Sequence, residues 1–188
     1  ALEAKALIQN LDIVTETAVL ENLYKLSRQR NINNWSTAII AAYLKEPPNA
    51  LYDQKARKLL KVKGLDSLQN YVEVKPDGKK YLLVILSGSW CGPCVKGLPK
   101  LRNIYDSISD NFLFVSAWND TDLKTFKDNH RDKKKVISWP SLWDQYGLMA
   151  NALQINAYPT YILFDPQGNE IKRWEGKVPN NLKDYISN

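Results

Sequence analysis

A chain of 188 residues, 44% hydrophobic and 24% charged, has the composition of a globular protein and is long enough to bury a core without a covalent staple. Its 26 basic and 20 acidic residues leave a net charge of +6, but no basic domain stands out. The densest run, Arg131 to Lys135, has no interleaved aromatics or glycines, so nucleic acid is not indicated as a partner. No apolar run approaches the ~18 residues of a membrane span, and the start "ALEAKALIQNLD" lacks the basic-then-apolar order of a signal peptide, so the chain reads as soluble. A start at Ala1 without an initiator methionine leaves room for a cleaved leader, and any membrane tether would lie outside these residues.

From Leu2 to about Leu65 the apolar spacing is helical. Val19, Leu20, Leu23 and Leu26 share one face, with Thr15 or Thr17 as a cap; Trp35, Ile39, Ala42 and Tyr43 share another, which Pro47-Pro48 ends. A third helix is expected over "NALYDQKARKLLKV", stopping at Gly64. Residues 1–68 are therefore expected to form a small helical region, either a packing surface or a place for a partner. At Tyr71 the period becomes alternating, and "YVEVKPDGKKYLLVIL" reads as two strands joined at Pro76-Asp77-Gly78. The second is continuously apolar, as a central strand covered on both faces would be. Next come a helix from the cysteines to about Ile108, the strand "FLFVSAW", a polar helix in "TDLKTFKDNHRD" and a further helix over "SLWDQYGLMANALQI". The strands "PTYILFD" and "EIKRWEG", a turn at Pro166 to Asn169 and a last helix from about Asn180 complete residues 69–188. This order makes an α/β sandwich with a central mixed sheet.

The two cysteines, Cys91 and Cys94, stand in "SGSWCGPCVKGLP". They could be a staple, half of a metal site or a reaction centre. A bridge across so short a loop removes little entropy from the unfolded chain, which makes a staple a poor use of them. A strand, a turn of small residues and a helix starting at Cys91 place that thiol at a helix N-terminus, where unpaired N–H groups and the helix dipole favour a thiolate. Residues three apart on a helix share a face, so Cys94 is near enough to form a bridge. Cys91 should attack and Cys94 resolve. Pro93 suits the first helical turn, Gly92 leaves room for a partner's backbone, and Trp90 would flank the sulfur.

"WCGPC", after a buried strand and before a helix carrying Pro99, resembles the thioredoxin active site. "NAYPTYILFD" is similar to the loop whose proline is cis beside the cysteines, making Tyr158-Pro159 the candidate bond and Tyr158 a contact for substrate backbone. The resemblance spans about Tyr71 to Ser187, and the long segment from Asn119 to Gln154 is similar to the insert of the TlpA/ResA-like branch. It implies a thioredoxin-like fold and a thiol-disulfide oxidoreductase that reduces disulfides in client proteins and is recharged by a redox partner. Members of the branch are mostly periplasmic or otherwise extracytoplasmic. Two acids found in relatives are replaced, by Ile85 and Gly97, so proton removal from Cys94 must use water or another group.

A zinc site would need two more ligands, and the one histidine, His130, stands in the charged stretch "DNHRD" and reads as solvated. No metal and no bound cofactor are expected. An adaptor that uses the fold only for binding has no reason to place two thiols at an activating helix start. A peroxidase would carry threonine where Gly88 stands.

Overall fold

The computed structural model describes residues 50–133 and 136–185, and the first strands or helices among these described residues are strands. Strands β1 (Tyr52–Asp53) and β2 (Lys58–Leu59) pair antiparallel, with Tyr52 opposite Leu59, and β3 (Val62–Leu65) follows. The helix expected over 49–62 is thus corrected. Leu51, Tyr52, Leu59 and Val62 are all buried, and spacings of seven and three suit a helical stripe as well as a strand pair folded on itself. The hairpin turn carries no glycine; Arg57 takes the left-handed conformation, φ 51°, and the Asp53 carboxylate accepts the N–H groups of Lys55 and Ala56. The compact unit containing the sheet starts at Leu51, and the helices expected between Leu2 and Pro48 lie outside the described residues.

The remaining elements are β4 (Tyr71–Val74), β5 (Tyr81–Ser87), α1 (Gly92–Ile108), β6 (Phe112–Trp118), α2 (Leu123–Lys133), β7 (Ser141–Trp143), α3 (Leu148–Ala152), β8 (Thr160–Phe164) and β9 (Glu170–Glu175). Short 3-10 turns occur at Gln145–Gly147 and Leu182–Tyr185. Seven strands form one mixed sheet in the order β4-β3-β7-β6-β5-β8-β9, with β5, β6 and β7 parallel and the outer strands antiparallel. Two details differ from expectation. Strands β4 and β5 do not form a hairpin: both sides of β5 are taken by β6 and β8, and β4, with only Val74 buried, lies at the edge beside β3. The helix expected from Ser141 begins instead as β7, because Ser141, Leu142 and Trp143 pair with Ser116, Ala117 and Trp118. Gly64 permits the close approach of β3 to β7, since a Cβ there would lie 2.6 Å from the Trp143 carbonyl oxygen.

Alternation along the central strands separates two buried faces. Leu83 and Ile85 of β5, Phe112, Phe114 and Trp118 of β6 and Tyr161 and Leu163 of β8 share one core with Leu98 and Leu101 of α1 and Phe126 of α2. On the other face Tyr52 meets Phe164 edge-on, so the β1–β2 hairpin covers it. A carboxylate fastens this hairpin: Glu170, its side chain fully buried, accepts Arg57 Nη2 at 2.8 Å, Arg173 Nε at 2.6 Å and the Tyr52 hydroxyl. Arg173 also donates to the Leu153 carbonyl at 2.6 Å, joining β9 to the segment after α3.

Candidate active site

Register gathers the site at one end of the sheet. Ser87, the last residue of β5, lies opposite Trp118 at the end of β6, and Leu86 lies opposite Thr160, where β8 begins. The β5–α1 turn therefore faces the loop after β6 and the loop before β8. Cys91 is the N-cap of α1, in extended conformation, and Pro93 sits in the first turn as expected. The Cys91 sulfur accepts the backbone N–H of Cys94 at 3.2 Å, the bond that an N-cap side chain makes to the third helical residue. That donor and the helix dipole act on the same atom, and both favour negative charge there.

The two sulfurs are joined, with 5.2 Å between the Cα atoms. In this oxidised form Cys91 is 5% exposed and Cys94 is 2% exposed, so the first cysteine is less open than its loop position suggests. The approach is beside it: Gly92 and Pro93 are exposed, and a Cβ at Gly92 would meet nothing within 4 Å.

The other expected site residues stand together here. Trp90, 61% exposed, meets Tyr158 edge to face with ring centroids 5.3 Å apart, and the Tyr158-Pro159 peptide bond is cis. Two residues that sequence reasoning missed hold this arrangement. Asn119 accepts the Trp90 indole N–H on its backbone carbonyl at 2.9 Å and donates its side-chain amide to the Tyr158 hydroxyl at 2.7 Å. Buried Asp120 accepts the Ser89 N–H at 2.7 Å and the Ser89 hydroxyl at 2.9 Å, tying the cysteine loop to the end of β6. Gly88 gives Trp90 its place, since a Cβ there would lie 2.7 Å from the indole ring.

Ile85 is buried opposite Tyr161. A Cβ at Gly97 would lie 3.5 Å from the Tyr161 hydroxyl, which therefore reaches the part of α1 one turn beyond Cys94. Burial pushes this phenol up to about 12, so it remains protonated at neutral pH and cannot replace the missing carboxylates as a base. His130 is corrected: it is 4% exposed, packed against Trp118 and Phe126 and hydrogen-bonded to Ser141. Its polar neighbours in sequence concealed that it lies one helical turn after Phe126.

Asp144, just beyond β7, is wholly buried. It accepts the N–H groups of Met149 at 2.7 Å and Ala150 at 3.0 Å. Burial raises its carboxyl from 3.8 to about 6, against the lowering effect of these two bonds. Because the folded state holds this proton more tightly, Asp144 favours folding most below pH 3.8 and loses that contribution as pH rises through about 6. Urea unfolding of the protein and of Asp144→Asn at stepped pH should show the native chain losing about 2–3 kcal/mol relative to the variant across this window. A difference independent of pH would contradict the assignment.

Thioredoxin Y of the chloroplast of Oryza sativa is 27% identical over 115 residues, 61% of this chain and 54% of that protein. The thiol-disulfide oxidoreductase ResA of Bacillus subtilis is 26% identical over 101 residues, 53% of this chain and 56% of that protein. The chain thus spans between half and two-thirds of the length of the curated relatives it matches. Among solved structures, the thioredoxin domain of a thiol-disulfide oxidoreductase from Bacteroides vulgatus has the same fold, with TM-score 0.59, 21% identity and coverage of 71% of this chain and 97% of that one. A pneumococcal exposed lipoprotein thioredoxin from Streptococcus pneumoniae also shares it, with TM-score 0.57, 19% identity and coverage of 67% and 94%. Residues 68–187 match the family model of the thioredoxin-like domain, and the chain belongs to the thioredoxin-like family.

Proposed function

We propose that the protein is a thiol-disulfide oxidoreductase that reduces disulfides in client proteins through Cys91 and Cys94. The observation that carries this reading is the Cys91 sulfur at the N-cap of α1, accepting a backbone N–H and joined to Cys94, with the exposed Gly92 next to it in the chain. In the reduced protein the Cys91 thiolate attacks one client sulfur, and the other leaves as a thiolate. Cys94, once deprotonated, attacks the Cys91 sulfur, closes the internal disulfide and releases the client's second thiolate. Two electrons have then passed to the client, and a separate redox partner returns them. No bound cofactor enters this cycle.

Trp90, Gly92, Pro93 and Tyr158 form the surface that meets the client in this reading, and Pro159, itself buried, adjoins it through the cis peptide bond. Work outside the cytoplasm is supported by the likeness to ResA and to an exposed lipoprotein thioredoxin, and no helix among the described residues is long and apolar enough to cross a membrane. In this reading the redox domain includes β1, β2 and β3, which belong to the compact unit that starts at Leu51.

Cys94→Ser removes the resolving thiol and leaves the attacking one. When this variant is mixed with oxidised insulin, a covalent adduct on Cys91 should accumulate and should dissolve in dithiothreitol, as read by non-reducing electrophoresis and peptide mass mapping. Absence of the adduct, or an adduct on any other residue, would contradict the proposal and favour a binding protein that uses the fold without exchange.

A further inference from the structure

Asn119 binds to three parts of the site at once. Its backbone N–H donates to the Ser87 carbonyl at 2.8 Å, anchoring it to the end of β5, while its own carbonyl and side-chain amide hold Trp90 and Tyr158. An indole as exposed as Trp90 would ordinarily sample several orientations, and each rotor frozen on binding weakens association. Here the hydrogen bonds have already fixed both rings, with their planes 73° apart. The result is a rigid aromatic wall on the cysteine loop, one ring edge against the other's face.

We propose that Asn119 is a positioning residue for client recognition: it holds Tyr158 against Trp90 as a prepared apolar wall beside Cys91, and so selects clients with a bulky apolar side chain next to the disulfide under attack. The inference rests on the oxidoreductase reading given above. The bond to Trp90 comes from the backbone and survives substitution at 119; the bond to Tyr158 comes from the Asn119 side chain and does not. Selectivity should therefore depend on the Asn119 amide and the Tyr158 hydroxyl as a unit.

The test uses two synthetic peptides with one internal disulfide each, one with leucine and one with glycine beside the same cysteine, together with oxidised glutathione, all with dithiothreitol as reductant. The native protein should prefer the leucine peptide. Asn119→Leu and Tyr158→Phe should each lower the leucine-to-glycine ratio of kcat/KM about three- to tenfold, mainly through KM. The double variant should match either single one. Asn119→Asp, whose carboxylate accepts the Tyr158 hydroxyl, should restore the ratio. Its added charge near Cys91 acts on both peptides alike and cancels. The inference fails if Asn119→Leu keeps the native ratio, if the two losses add, or if the native protein reduces both peptides without preference. Should the native protein reduce neither the peptides nor glutathione, the oxidoreductase reading itself fails and this inference falls with it.

Discussion

Replacing Cys91 with serine is expected to lower the rate of insulin reduction by about a thousandfold or more while leaving the fold intact. A hydroxyl is not ionised near neutral pH, so the variant has no nucleophile at the mouth of α1. The chain's other thiol, Cys94, lies deeper, at 2% exposed, and in the cycle proposed here it acts only after a mixed disulfide has formed. Serine suits this test because it is among the preferred N-cap residues and can accept the same N–H from Cys94. Urea unfolding of the variant should stay within about 0.5 kcal/mol of the reduced native protein, which isolates the chemistry from stability. Retention of a tenth or more of the native rate would show that exchange does not start at this sulfur.

The second large effect is expected at Glu170, 79 residues from Cys91 in sequence. Burial alone would raise its carboxyl, but hydrogen bonds from Arg173, Tyr52 and Arg57 outweigh burial and hold it near 2. Glu170→Ala leaves the Tyr52 hydroxyl and the Arg173 guanidinium without that partner and removes the side-chain ties of the β1–β2 hairpin to β9, while the backbone bond from the Glu170 N–H to the Arg57 carbonyl remains. A loss of about 2–3 kcal/mol is expected. It should fall short of the ~3–5 kcal/mol seen when a wholly buried pair is broken, because the Arg57 side chain is 67% exposed. The depressed carboxyl sets the pH window: its contribution is complete above about 4.5 and is lost as pH falls toward 2. Glu170→Ala and the native protein should thus converge in stability at the acid end. Equal stability at pH 7 would show that the cluster does not fasten the hairpin.

The sequence carried the central part of the fold because short-range signals agreed there. Tyr81 to Leu86 is apolar without a break, and Cys91 with Pro93 marks a helix start. What remained hidden depends on partners far away in the chain. Three residues of β7 are too few for alternation to show, and only pairing with β6 makes them a strand. The β1–β2 hairpin turns at Arg57 without glycine, and its apolar residues also satisfy a helical face. Within the site, the cysteines were legible from local pattern, and the cis proline from the resemblance of the stretch around Tyr158-Pro159 to the thioredoxin loop. Asn119, Asp120 and Asp144 were not, since a polar residue after an apolar strand usually faces water, and only the assembled sheet end gives these three their backbone and ring partners.

The proposed cycle requires Cys91, not Cys94, to be the activated thiol of the pair. Brief treatment of the reduced native protein with limiting iodoacetamide at pH 7, followed by peptide mass mapping, tests it most directly. Cys91 should be alkylated first, with Cys94 largely spared until Cys91 is consumed. Equal labelling, or labelling of Cys94 first, would contradict it.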